Sequence, residues 1–433
     1  MTMKKKSKRP WGVFAAILLA IVFGSWAGEE AHIFGIRLYS VFDVLGTMFL
    51  NALTLVVVPL VSSSIISGIS RIGKEGGIGR LGGKMFLFYI GTSLMAILIG
   101  LFFVNLFDPG SHHIAPIVSQ EDTSELAQLK DQLVNHEGEA LVKVLMQIVP
   151  SNALQAFSQG QMLGLIFFSL LFGFALSKIE THGTGTLKSF FEWLFQTMIQ
   201  VTHIIMKVLP YGVFCLVAKV FMSSGIGSLE SVAVFSGTVL LGLAVFLFVG
   251  LPLLLKFIGR VSPLRHFKAM TPALVTAFST SSSSATLPIT MDCVEKRAGV
   301  SNRICSLVVP LGTSINMSGS ALYECVAAMF VAQAYGIDIS FATQFLVVLL
   351  ALITSIGVAG IPSASLVAIL VILRVIGLPP EGIGLFIAVD RLLDMCRTTV
   401  NVFSDSCCAV LVAKTEGEKN VLTEATEAKA EME

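Results

Sequence analysis

Along the first 260 residues the apolar positions come in long unbroken runs, at 11–28, 43–69, 84–107, 160–177, 191–221 and 230–257. A helix of about 20 apolar residues crosses a bilayer, so each run predicts one spanning helix. From about 263 onward the runs are interrupted by hydroxyls, glycines and prolines: LVTAFSTSSSSATLPIT (274–290), SLVVPLGTSINMSGSALYECVAAMFVA (306–332), FLVVLLALITSIGVAGIPSASLVAILVIL (345–373), and an apolar run carrying RLLDMCRTTVNVFSDS (391–406). Two broken segments thus alternate with two polar-studded helices.

The alternation is an internal repeat. Asn316 follows Pro288 by 28 residues, and Asp390 follows Pro362 by the same interval. Paired interrupted segments in corresponding halves point to the binding site of a secondary transporter. A break exposes backbone N–H and C=O groups, which a membrane interior tolerates only where protein or a wet cavity satisfies them. Kinked packing helices are the plainer alternative, but TSSSSAT carries more hydroxyls than packing needs.

Composition agrees with the pattern. Of 433 residues 54% are hydrophobic and 13% charged, against roughly 25% charged in soluble domains; mean hydropathy is +0.83. The chain reads as an all-α polytopic membrane protein. WGVFAAILLAIVFGSWAG follows MKKKSKR but lacks a clean cleavage site, so it reads as a retained span. Net charge of +1 and the absence of basic tracts interleaved with aromatics exclude a nucleic-acid partner. The seven cysteines lie in or beside apolar stretches and read as packing residues. Lysines and arginines before the first span, and Arg71, Lys74, Arg80 and Lys84 before the third, place both segments on the cytoplasmic side. The acidic loop after the third span is then external, with room for a short surface helix, and the polar tail from about 416 reads as disordered.

Asp390, Asp394, Arg397, Thr398, Asn401 and Asp405 follow one another at steps of three, one or four and share one helix face. Each charge would cost roughly 3 kcal/mol against lipid, so this face looks into the bundle. Pairing of Asp394 with Arg397 would cancel two charges and leave Asn401 and Asp405 unexplained. A functional reading uses them all: Arg397 is a fork for a carboxylate, Asp394 accepts from an ammonium group, and Asn401 with Asp405 offers hard oxygens to a small cation. Arg391 lies to another side and pairs or snorkels. Asn316, Ser320 and Glu324 make a second polar face beside Gly312 and Ser314, where INMSG can unwind and turn carbonyls toward an ion. These residues describe a cation-coupled carrier of a small anionic metabolite.

DMCRTTVNVFSD, SSSSATLP, GIPSAS and NMSGSALYE occur in the order of the corresponding motifs of the glutamate/aspartate transporter family, the dicarboxylate/amino acid:cation symporters, which the chain resembles over nearly its whole length. The resemblance implies eight transmembrane helices plus two re-entrant helical hairpins (about 263–293 and 341–373) with inverted repeats, and a homotrimer in which a transport domain moves like an elevator. It divides the chain into scaffold helices (1–83), a transport-domain helix (84–107), an external loop with further scaffold helices (108–228), a transport-domain helix (229–262), a transport core (263–415) and a disordered cytoplasmic tail (416–433). Substrate contacts are implied for Ser283, Ser320, Ile361, Pro362, Ser365, Asp394, Arg397, Thr398 and Asn401. One sodium site is implied at Gly312, Asn316, Asn401 and Asp405, a second at Ser314, Ser355 and Ile356, and neutral ligands of a third at Tyr89, Thr92 and Ser93.

Departures from the family pattern are informative. Ser318 stands where NMDGT has the aspartate that ligates the third sodium, which removes its one anionic ligand. Glu324 keeps an acid where proton-coupled glutamate carriers have one; burial disfavours a charged carboxylate, so Glu324 is expected to carry a proton. Ser365, Ser404 and Ser320 replace two glycines and a threonine. The implied function is a symporter of aspartate or glutamate coupled to sodium, with a proton as further coupling ion; a proton-coupled C4-dicarboxylate carrier or a neutral amino acid carrier is the alternative. An intramembrane hydrolase lacks a base, because the histidines fall outside the polar motifs, and broken-helix ion sites favour occluded transport over a channel. The one Asn-x-Ser/Thr sequon, at Asn316, lies within the membrane, which fits a bacterial inner membrane with the N-terminus cytoplasmic.

Overall fold

A computed structural model describes residues 9–28, 31–33, 35–72, 78–111, 149–159, 162–179, 184–205, 207–224, 228–337, 339–356 and 365–423. The acidic loop, where a short surface helix is expected, Lys74, Ile361, Pro362 and the last ten residues lie outside them. The fold is helical, with a single departure among the described residues: a two-stranded antiparallel ribbon, β1 (His32–Ile33) and β2 (Ile36–Arg37).

The first half contains α1 (Arg9–Ala27), α2 (Leu38–Leu55), α3 (Val57–Ile72), α4 (Ile78–Phe107), α5 (Ala153–Ser158), α6 (Met162–Lys178), α7 (Thr184–Ile205) and α8 (Leu209–Ser224). Two runs read as single spans are each two helices. Pro59 interrupts the run at 43–69 and Pro210 the run at 191–221. Proline lacks an N–H and its ring clashes with the preceding turn, so it is accommodated in the first turn of a new helix. Both prolines sit there, in α3 and α8. The split redirects the chain: α8 packs against α1 and α2, whereas α3 packs against α6 and α7.

The run at 230–257 continues through α9 (Ser228–Val245), one π-helical turn and α10 (Leu251–Phe257), the wider turn preceding Pro252. Then come α11 (Pro263–Thr280) and α12 (Ser283–Asp292), a helical hairpin whose tip is Ser281, left-handed at φ +50°, and Ser282, which accepts from the Ala285 N–H. The first polar helix is α13 (Asn302–Ile315) and α14 (Ser318–Ala334), broken at Asn316 and Met317. α15 (Phe341–Ser355) and α16 (Ser365–Val375) pack against each other as the arms of the second broken segment. A 3-10 turn (Pro380–Leu385) leads into α17 (Ile387–Thr415).

Three helical stretches among the described residues are long and apolar enough to cross a membrane: Leu81–Phe107, Glu230–Phe257 and Asn302–Ala334. Their extent, with the shorter apolar helices around them, is that of a multi-pass membrane protein. The core centres on α14 and α17. Every residue of α14 except Gln333 is buried, so this helix sees neither lipid nor water. α17 packs against α4, α9, α11, α13 and α14. The tail from 416, expected to be disordered, is folded as far as 423: the Leu422 N–H bonds the Ala298 carbonyl at 2.9 Å, and Val421 and Leu422 are buried. Two apolar side chains in an otherwise polar stretch suffice to anchor it.

Candidate transport site

The polar face of α17 is buried along its whole length: Asp390, Asp394, Arg397, Thr398, Asn401 and Asp405 are each at most 5% exposed. Arg397 is its centre. One guanidinium nitrogen lies 3.1 Å from Asp390 and another 2.9 Å from Asp394. The ring of Tyr323, from α14, lies 3.8 Å beneath the guanidinium carbon, a stacked cation–π arrangement. Nε of Arg397 has no hydrogen-bond partner among the described residues. Arg391, half-buried, approaches Asp394 at 3.8 Å, so two arginines and two aspartates form a formally neutral quartet of which three members are buried.

One turn further, Asn401 holds α14. Its side-chain oxygen accepts from the N–H groups of Gly319 (2.7 Å) and Ser320 (3.3 Å), and its amide nitrogen donates to the Ser320 hydroxyl at 3.1 Å. Met317 gives α14 no side-chain cap, so a residue of another helix supplies it. Thr398 and Ser320 are both buried.

Asp405 terminates the face. Its Oδ1 accepts from the Asn316 side chain at 2.9 Å, while Oδ2 is buried with no hydrogen-bond partner among the described residues. Gly312 is pressed against it: a Cβ there would meet Oδ1 at 2.6 Å. A buried carboxylate with a spare oxygen, beside a broken helix, suits a small hard cation. Ser314 is half-buried, and Ser355 is buried with its hydroxyl on the Leu352 carbonyl next to Ile356.

The Tyr89, Thr92 and Ser93 oxygens of α4 face this region but bond to neutral groups. Tyr89 donates to the Val308 carbonyl, Thr92 to Asn316 Oδ1 at 3.0 Å, and Ser93 lies 3.3 Å from Ser318. Ser318 also donates to Asn316 Oδ1 (2.9 Å) and lies 3.1 Å from Ser404. Hydroxyls and an amide close on one another, with no carboxylate among the groups that touch the three α4 side chains.

Glu324 is fully buried two turns up α14. Oε2 accepts from Thr354 at 2.9 Å, and Oε1, with Ser365 beside the carboxyl, has no hydrogen-bond partner among the described residues. Residues from both arms of the second broken segment therefore meet at one acid. Ser283 opens α12 and is buried; Ile361 and Pro362 fall outside the described residues.

Residue spacing assigns no role to four of the participants. Asp390 shares the face without a partner that spacing identifies; Tyr323 and Thr354 come from other helices, adjacent in sequence to Glu324 and Ser355. His266, with the other histidines expected outside the polar motifs, reaches α17: its Nε2 lies 2.9 Å from the Ser406 hydroxyl. Only the 3.6-residue period on α14 offered a sign of Tyr323.

Buried opposed charges, a broken helix against a second polar helix and paired hairpins define a membrane symporter rather than an enzyme. The sodium:dicarboxylate symporter family model matches residues 11–415, and the chain belongs to that family. It is 34% identical over 411 residues to the proton/sodium-glutamate symport protein of Bacillus caldotenax, covering 95% of each chain. To the proton/glutamate-aspartate symporter of Escherichia coli K12 it is 32% identical over 406 residues, 94% of this chain and 92% of the relative. The C4-dicarboxylate transport protein of Rhodospirillum rubrum is 33% identical over 410 residues, 94% and 89% of the two chains.

Proposed function

We propose that the protein is a secondary active symporter of acidic amino acids, aspartate or glutamate, driven by sodium with a proton carried on Glu324. The observation that carries this reading is the Arg397 quartet. A zwitterion with an extra carboxylate exchanges into it: the carboxylate takes the Arg397 fork and the ammonium takes Asp394, so when the pair between Arg397 and Asp394 opens each of them finds a new counter-charge. The quartet is formally neutral, so a substrate of net charge −1 arrives with its charge uncompensated. Accompanying cations restore neutrality, and Asp405 with Gly312 and Asn316 would hold one of them as sodium. Ser314, Ser355 and Ile356 would hold a second through oxygens at the end of α15.

Tyr89, Thr92 and Ser93 would bind a third cation weakly, because Ser318 brings no charge. Glu324 couples its proton to the second hairpin through Thr354 and Ser365. Ser283, Ile361, Pro362 and Ser365 would close over the substrate, and Ser320, Thr398 and Asn401 would line it. The reading extends to an elevator in a homotrimer with eight spans and two re-entrant hairpins, placed in a bacterial inner membrane with the N-terminus cytoplasmic. Its support is that α1, α2 and α8, and α3, α6 and α7, pack mainly among themselves and meet the bundle around α4, α14 and α17 at few points, chiefly where α1 and α8 touch α17, together with the basic flanks.

Uptake of radiolabelled aspartate into proteoliposomes tests it, with a sodium gradient in one series and a proton gradient without sodium in another. Saturable uptake driven by the sodium gradient supports the reading; uptake driven by the proton gradient alone would shift the driving ion from sodium to the proton of Glu324, and none under both overturns it. A C4-dicarboxylate carrier is favoured by one observation, that Asp394 is already engaged by Arg397 and Arg391. Succinate has no amine and would leave those pairs intact, so strong succinate uptake without aspartate uptake would select that carrier.

A further inference from the structure

A basic cavity of about 480 Å³ lies where three helix ends meet: the end of α10, the start of α11 and the end of α17. Arg260, Arg265, Lys414 and Lys419 line it, with the buried Val421 and Leu422 among its walls. No acid is among its lining residues within the described part of the chain. The neighbouring acids of the C-terminal turn point to other partners: Glu416 to Lys84 at 2.5 Å, and Glu418 to the Ser301 N–H at 3.1 Å and to the Ser301 hydroxyl.

The cavity is built rather than incidental. Arg265 donates to the Leu422 carbonyl at 3.4 Å and Lys414 to the Glu418 carbonyl at 3.3 Å, which fastens the turn over α17. Two of its residues, Arg260 (φ +51°) and Leu422 (φ +56°), have left-handed backbone, a conformation held only when the surroundings impose it. Ser262, also in the wall, does not cap α11 with its side chain, so the positive end of that helix adds to the field.

We propose that this cavity binds a phosphate-bearing anion. The Arg260 guanidinium fork and two ammonium groups match an anion with several oxygens, with Arg265 held to the Leu422 carbonyl in the wall, and the volume exceeds what a halide would fill. Lys84, on the flank of α4 read as cytoplasmic, also donates to the Thr415 carbonyl at 2.8 Å, which places the cavity at that end of the molecule. Basic pockets between helices at the cytoplasmic surface take anionic headgroups. The phosphate belongs either to such a headgroup or to a free ion.

The full chain is purified in detergent, and its unfolding temperature is followed by exposure of its buried cysteines to a thiol dye. It is titrated with short-chain phosphatidylglycerol, short-chain phosphatidylcholine and inorganic phosphate at constant ionic strength. Phosphatidylglycerol is expected to raise the unfolding temperature while phosphatidylcholine leaves it unchanged. An equal rise with inorganic phosphate identifies a free-ion site; a rise with the lipid alone identifies a headgroup site.

The triple variant Arg260→Gln/Lys414→Gln/Lys419→Gln is expected to lose the response while retaining aspartate uptake in phosphatidylcholine vesicles. Should it not fold, Lys419→Gln, at an exposed position, is expected to raise the half-saturating concentration about fivefold. No rise with either phosphate compound overturns the proposal. An unchanged response in the triple variant, or an unchanged midpoint in Lys419→Gln, does so too.

Discussion

Arg397 and Asp405 lie on one face of α17, about two turns apart, and the protein treats their charges in opposite ways. At Arg397 each charge has its counter-charge: Asp390 at 3.1 Å, Asp394 at 2.9 Å and Arg391 beyond. At Asp405 one oxygen receives an amide and the other nothing. A balanced pair can exchange partners with a zwitterion at little electrostatic cost, whereas an unbalanced buried carboxylate calls for a cation. One helix thus presents an exchange site and a capture site, separated by the Asn401 cap that fixes α14 against both.

The largest effect is expected at the balanced end. Arg397→Ala removes a charge-assisted contact of about 3 kcal/mol, so kcat/KM for aspartate uptake should fall about a hundredfold or more. Because Asp390 would then be buried without its counter-charge and Asp394 would keep only the more distant Arg391, Arg397→Lys serves as the partner variant that keeps the charge and loses the fork. Uptake within tenfold of the parent in Arg397→Lys would mean that bidentate geometry is not what recognises the substrate. At the unbalanced end, Asp405→Asn replaces a charged oxygen ligand by a neutral one. The half-saturating sodium concentration should rise at least about tenfold, with aspartate KM at saturating sodium changed far less; the reverse pattern would exchange the roles assigned to the two ends.

Glu324 sharpens the contrast, because it too is a buried carboxyl satisfied on one oxygen only, but its partner is the Thr354 hydroxyl. A hydroxyl and a neutral acid can each both donate and accept, so the bond survives protonation with its direction reversed. The Asn316 amide nitrogen can only donate, which suits the ionised state of Asp405. Glu324→Gln is therefore expected to make uptake insensitive to external pH and to an imposed proton gradient, with sodium-dependent exchange retained. Persisting pH dependence in that variant would remove the proton from Glu324.

Much of this contrast was legible along the chain. The spacing from Asp390 to Asp405 places all six polar residues on one face, and burial follows from the cost of charge in lipid. What spacing cannot give is which residue on another helix completes each contact. Tyr323 under Arg397, Thr354 on Glu324 and His266 on Ser406 are tertiary contacts between distant segments. The boundaries at Pro59 and Pro210 were readable, since proline in an apolar run marks a restart, yet hydropathy stays high through both and masks the break. Val421 and Leu422 were hidden in the same way, two apolar residues in a polar tail.

The smallest effects belong to the glycines that let the broken helix press on α17, and they distinguish the two ends sterically. At Gly312 a Cβ would meet Asp405 Oδ1 at 2.6 Å and Cγ at 2.7 Å, and a buried carboxylate on a packed helix has nowhere to retreat. At Gly319 the nearest atoms are the Arg397 carbonyl at 3.0 Å and Asn401 Oδ1 at 3.1 Å, gaps that a shift of a few tenths of an ångström relieves. Gly312→Ala should therefore destabilise by about 1–3 kcal/mol and weaken sodium dependence. Gly319→Ala should cost less, because alanine also favours the helix by about 1 kcal/mol, and should alter aspartate KM before sodium affinity. Thermal unfolding and sodium titrations of the two variants in parallel decide it: equal losses in both would mean that the contact between α14 and α17 acts as one rigid unit and that the two ends are not separable by packing.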